Sequence, residues 1–221
     1  MRNNKIVTAM ACATASMLAG LALAPSAMAA DTTITLQGAD GASLAGHTFN
    51  VYQIGTYTGV VLKGNQISSL GIQGTTESNA WADDAITIAN GYDKDTSDDI
   101  TKVGGYDAAG SIAAIDMAKQ AKQLSNIQAA LNASSRKPAT VAGGADLTTQ
   151  DATLNITVPE EGLYYITDSA GSPIIIGTKS GAGTAMSGAP GRTLGVAVIK
   201  SKIVTTDKKV VVDRDGRQVS K

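Results

Sequence analysis

The sequence predicts a mainly β fold: a β-sandwich of about seven short strands that carries a two-helix insertion. Three observations predict it. Short β-branched segments recur in both halves of the chain, and Gly, Asn, Asp and Pro clusters separate them. Between the two groups of strands the apolar period lengthens from two residues to three or four, which marks helices. Strands interrupted by helices and then resumed are a layered arrangement with a helical excursion.

In chain order, Thr32 to Leu36 (TTITL) alternates and is β-branched, as a strand would be. A turn follows at Gly38-Ala39-Asp40-Gly41. His47 to Ile54 puts Phe49 and Val51 on one face and Asn50 and Tyr52 on the other. Thr58 to Leu62 (TGVVL) reads as a neighbouring strand, ended by the turn signal Gly64-Asn65. Ser78 to Asn90 then has Trp81, Ala85 and Ile88 at helical spacing, with Gly91 positioned to cap its C-terminus. A second helix is expected from about Ala114 to Ala133. Its apolar stripe is Met117, Ala121, Leu124, Ile127 and Leu131, and Lys119, Lys122 and Gln123 take the outer face. Pro138 closes that region. Strands resume at Ala152 to Val158, Gly162 to Thr167, Pro173 to Gly177 and Leu194 to Lys200, and Ser180 to Gly191 is a glycine-rich loop.

The N-terminus reads as an export signal. Arg2 and Lys5 precede an apolar run from Ile6 to Ala24, Pro25 breaks it, and Ala27 and Ala29 supply the small residues a signal peptidase reads. Cleavage is expected between Ala29 and Ala30, leaving a body over 30–203 and a linker, or the first strand of a further domain, over 204–221. The run is about long enough to span a bilayer. Its Ala, Thr and Ser content and the following cleavage site favour a cleaved signal, so no membrane is expected as a partner afterwards. Cys12, the one cysteine, lies inside that signal. The mature chain therefore has no disulfide, thiolate metal ligand or cysteine nucleophile.

Charge is uneven along the chain. Residues 30–199 hold 9 Lys/Arg against 16 Asp/Glu, whereas 200–221 hold 7 against 3. An acidic body argues against nucleic acid as a partner. One Phe, one Trp and six Tyr also make a poor set of stacking platforms.

No enzyme signature emerges. His47 is the one histidine, no G-x-S-x-G nucleophile elbow accompanies it, and its position suits the start of a strand. Asp93, Asp95 and Ser97 put oxygens where a calcium loop needs its first, third and fifth ligands. Asp98 then stands where that loop needs Gly and Gly104 where it needs Glu, so a solvated acidic loop is the better account and no metal or cofactor is expected. The glycine-rich loop lacks the Gly-Lys-Ser/Thr ending of a phosphate loop. Glu160 and Glu161 sit in a Val-Pro-Glu-Glu-Gly turn rather than as a general acid and base.

Two segments resemble a known family. Ser43 to Tyr52 (SLAGHTFNVY) is similar to the second strand of B-type repeat domains in Gram-positive surface proteins, and Val158 to Tyr165 (VPEEGLYY) to their late strand. With two helices between them and a final strand running into a lysine-bearing linker, the chain resembles the N-terminal domain of sortase-assembled fimbrial major subunits of the actinobacterial type. The resemblance implies an immunoglobulin-like sandwich and a non-enzymatic role on the cell surface, attached to the cell wall. It also implies that other pilin subunits and a sortase are partners, and that a host surface receptor is engaged in adhesion.

In that family a sortase holds one subunit as an acyl-enzyme, and a lysine amine of the next attacks it. An ammonium has no lone pair for that step, so an accessible amine that can lose its proton is needed. The family's lysine follows a Val-x-Val-Tyr-Pro-Lys strand; Val196 to Lys202 keeps the alternating valines but lacks Tyr-Pro, leaving Lys200 and Lys202 as candidates. Lys208 and Lys209, before Val210-Val211-Val212, resemble the isopeptide-bond lysine of the family's next domain, which is expected beyond residue 221 together with a sorting signal. In the body, the register of the B-type isopeptide lysine falls on Leu36 or Gln37, so no such bond is expected there. The alternative is a free secreted binding domain for host glycan or matrix protein, with Tyr52, Tyr57 and Tyr92 as its contacts.

Overall fold

The computed structural model describes residues 32–115, 120–144, 147–181 and 194–200 (the side chain of Asp98 apart), together with the backbone of 211–212 and 218–219. The fold is mainly β. Strands β1 (Thr33–Gly38), β2 (Phe49–Lys63) and β3 (Gln66–Gln73) precede helices α1 (Thr76–Asn90), α2 (Ala108–Ala113) and α3 (Ala121–Ala133). Strands β4 (Ala142–Gly143), β5 (Thr153–Thr157), β6 (Gly162–Asp168), β7 (Ile174–Gly177) and β8 (Val196–Ile199) follow. Two short strands, β9 (Val211–Val212) and β10 (Gln218–Val219), pair with each other in the tail.

One sheet has the order β5-β1-β8, and the other the order β3-β2-β6-β7 with β4 on the start of β2. The core between them is filled by Ile34, Leu36, Ile156 and Ile199 from the first sheet and by Phe49, Val51, Tyr164 and Ile166 from the second. The opposite face of the second sheet carries Ile54 and Tyr165, and Trp81, Ala85, Ile112, Ile127 and Leu131 of the helices pack on it. The second sheet is thus apolar on both faces, so side chains at successive positions of β2 and β6 are needed in different cores.

The helical layer is fixed by specific polar contacts. Thr75 caps α1: its hydroxyl accepts from Ser78 N at 3.1 Å, and Ser78 Oγ accepts from Thr75 N at 2.9 Å. Trp81 Nε1 donates to Leu131 O at 3.0 Å, tying α1 to α3, and Tyr165 OH donates to Gln128 O at 2.8 Å, tying the sheet to α3. Asp107, the cap of α2, accepts from Gly110 N and Gly74 N at 2.8 Å each and from Asn79 Nδ2 at 3.0 Å.

Several expectations are corrected. Thr58 to Leu62 is no separate strand: it continues β2, and the true third strand is the polar Gln66–Gln73. Of the helix expected over Ala114 to Ala133, Ala121–Ala133 forms α3, and α2, over Ala108–Ala113, is a further helix that was not expected. Of the expected stripe, Ile127 and Leu131 are buried, Ala121 is exposed, and Met117 falls outside the described residues. Gly91 does follow α1, but in a right-handed conformation, with its N–H on Ile88 O at 3.1 Å.

Candidate functional site

Strand pairing fixes where the body is entered and left. β8 runs parallel to β1, with Thr35 beside Val196 and Gly38 beside Ile199. Both strands therefore run from a near end, where Thr32 leads into β1, to a far end. Six strand residues at about 3.3 Å each separate these ends by about 20 Å. Lys200 follows β8 directly and is exposed at the far end. β8 is an edge strand of the first sheet, with Val198 54% exposed. Lys202, Lys208 and Lys209 lie outside the described residues, as do Ala29 and Ala30 and most of the glycine-rich loop.

The far end also holds a pair that sequence reasoning missed. His47 and Asp168 are 121 positions apart, yet β2 starts beside the end of β6, where Phe49 faces Asp168. His47 Nδ1 lies 2.8 and 3.0 Å from the two carboxylate oxygens, and both side chains are fully buried. Asp168 Oδ1 also accepts from Ala170 N at 2.9 Å, and the imidazole stacks on Phe49 with ring centroids 5.8 Å apart. His47 Nε2 is buried with no hydrogen-bond partner among the described residues. A triad would need a nucleophile at that nitrogen and a path for substrate. The buried pair instead ties the strand that opens the second sheet to the strand that crosses it.

The acidic loop is tied up by its own contacts. Asp93 Oδ1 accepts from Asp95 N at 2.9 Å, and Asp93 Oδ2 lies 2.8 Å from Lys122 Nζ. The Lys122 ammonium and the backbone donor hold the Asp93 carboxyl below the usual carboxylate range. Asp95 Oδ1 accepts from Ser97 Oγ at 2.6 Å and Ser97 N at 3.0 Å, which lowers its carboxyl likewise. Among the described residues no cluster of three metal-binding side chains occurs.

Glu160 and Glu161 lie in the β5–β6 turn at the near end. Glu160 Oε2 accepts from Gln53 Nε2 at 3.2 Å, Glu161 Oε1 accepts from Gly181 N at 2.5 Å, and Tyr164 OH donates to Glu160 O at 2.7 Å. Burial pushes the Tyr164 hydroxyl up to about 12. The glycine that follows is required: a Cβ on Gly162 would run into the carbonyl oxygen of Gly55 where β2 and β6 meet.

Of the three tyrosines expected as binding contacts, Tyr92 alone is well exposed. Tyr57 donates its hydroxyl to Thr178 O at 2.8 Å, and burial raises that hydroxyl well above the ordinary tyrosine value. Tyr52 packs against Trp81 and Tyr165, with centroids 6.0 and 6.2 Å away. Leu36 is in the core and Gln37 is exposed. No helix among the described residues is long and apolar enough to cross a membrane. Comparison with models of known protein families gives no match, and comparison with curated proteins gives none either.

Proposed function

We propose that the chain is an exported structural subunit of a cell-wall-attached fimbria, with an immunoglobulin-like body that a sortase joins covalently to its neighbours through a lysine, supporting adhesion. The observation that carries the reading is the parallel pairing of β1 with β8. It brings the chain in at one end of the body and out at the other, with an exposed lysine at the exit. A fibre of repeated units needs its two joints on opposite ends, since a rotation-free head-to-tail contact propagates without closing. Entry and exit at one end would suit a pendant domain better.

The helical layer supports the same reading. It fastens to the face of the second sheet that is turned away from the first. The free binding-domain alternative loses two of its three aromatic contacts to internal packing.

The test is incubation of the chain with a sortase and a sorting-signal peptide. A conjugate mapped to Lys200 or Lys202 is expected, and changing both to Ala should abolish it. A conjugate that persists in the double variant overturns the lysine assignment, and no conjugate at all overturns the polymer role.

A further inference from the structure

The first sheet is open along β5. Its strand order is β5-β1-β8, so among the described residues β5 has a strand partner on one side. Gly38 N donates to Ala152 O and Val158 N to Thr32 O, at 2.8 Å each. Bonded pairs alternate along an antiparallel ladder, so Leu154 and Ile156 bond to β1. Thr153, Asn155 and Thr157 then aim their N–H and C=O groups at the open side. Their side chains are exposed on the face turned away from the core, whereas Ile156 is buried and Leu154 is half-buried at the margin of the core.

Sheet edges are ordinarily guarded against other chains by charge, proline or a bulge. β5 has none of these: its sequence is TLNIT, and its register with β1 is unbroken. The other edges differ. The register of β3 shifts along β2, and β7 and β8 are linked by Gly195 N on Gly177 O at 2.8 Å. The β5 sequence also reads nearly alike in both directions. Laid antiparallel on itself about Asn155, it puts Thr153 opposite Thr157, Leu154 opposite Ile156 and Asn155 opposite Asn155. The residues that meet backbone to backbone are then Thr153, Asn155 and Thr157, whose groups already point outward, and each can donate and accept one bond. Leu154 meets Ile156 on the core side and loses its remaining exposure. Asn155 Oδ1 accepts from Thr35 Oγ1 at 2.9 Å, which leaves its NH2 to donate to the facing Asn155.

We propose that β5 is a self-pairing edge whose partner is β5 of a second copy of this chain, related by a two-fold axis at Asn155. The two first sheets become one continuous sheet. A two-fold contact uses the same patch on both copies and closes on itself, so it does not extend a fibre and does not rest on the polymer reading. Where subunits are polymerised, it ties two fibres side by side, each link weak and the row strengthened by avidity. Five strand residues at about 3.3 Å each give a contact about 17 Å long, well short of a standard interface, so the free dimer is weak.

The experiment is sedimentation velocity of the full chain from about 10 μM to about 1 mM, the range in which so small a contact becomes populated. A dimer that grows with concentration is expected. Asn155→Lys sets two ammonium groups against each other at the axis and should leave monomer alone. Its site is on the solvent face, so the urea unfolding midpoint should not move, which shows that the fold is intact. Thr153→Lys with Thr157→Glu gives each new charge its opposite across the axis and should dimerise at least as strongly as the unaltered chain. Thr153→Lys with Thr157→Lys should not dimerise. An unaltered chain that stays monomeric at about 1 mM overturns the inference. A dimer that survives in Asn155→Lys also overturns it, because another surface then forms the contact. Equal behaviour of the two double variants overturns the two-fold register.

Discussion

Replacing Asp107 tests how the helical layer is fastened to the second sheet. Its carboxylate accepts from Gly110 N on its own helix, from Gly74 N just before α1, and from Asn79 Nδ2 within α1. Asn79 completes the link by accepting from Ala109 N at 3.1 Å. One side chain thus joins three segments. In Asp107→Ala the α2 cap is lost, typically worth about 1 kcal/mol. The Gly74 donor is left without its acceptor in a half-buried site, which costs about 1–2 kcal/mol more at the lower end of the usual range. Equilibrium urea unfolding at neutral pH should therefore show a loss of about 2–3 kcal/mol with an unchanged m-value. Asp107→Asn retains one acceptor, which can serve Gly74 N and Asn79 Nδ2, but sets its NH2 against Gly110 N, so it should lose the α2 cap, about 1 kcal/mol. The pH dependence has a definite sign. Burial alone would raise this carboxyl, but the hydrogen bonds from Gly110, Gly74 and Asn79 outweigh it and hold it below its ordinary value. A carboxyl lowered in the folded state contributes stability that is present above its unfolded value and is lost as pH falls through the folded one. The gap between wild type and Asp107→Asn should accordingly narrow in acid, where the protonated wild type becomes a neutral near-isostere. A neutral-pH loss under about 0.5 kcal/mol, the scale of an ordinary surface change, would refute the reasoning. A gap that stays constant into acid would refute its electrostatic part.

Further changes should act through the two cores and the far end. Trp81→Ala empties the centre of the helix-side core and orphans Leu131 O, so chemical unfolding should show a loss of about 3–5 kcal/mol. His47→Phe preserves the stack on Phe49 but removes the imidazole from the buried Asp168, which keeps Ala170 N, and a loss of about 1–3 kcal/mol is expected in the same assay. Intact mass of the purified chain should show no deficit of about 17 Da, the ammonia released by one lysine–asparagine bond. Such a deficit would contradict the expectation drawn from Leu36 and Gln37.

The strand pattern was legible where burial is one-sided. β1 and β5 face solvent on one side, so their alternation of Thr, Asn and Gln with Ile and Leu shows in the sequence. β2 was legible only in part. Its first residues alternate between two cores, and its distal half pairs chiefly with β3, where register shifts break the pattern. β3 itself, QISSLGIQ, has the composition of a loop, and its place in the sheet comes from pairing with β2 rather than from local propensity. α2 was hidden because a helix of six residues is too short for an apolar period to show. At the far end, the strand that precedes Lys200 was legible from its alternating valines. The His47–Asp168 pair was not, because its two members are 121 positions apart and meet only through the pairing of β2 with β6. Sequence spacing carries no sign of it.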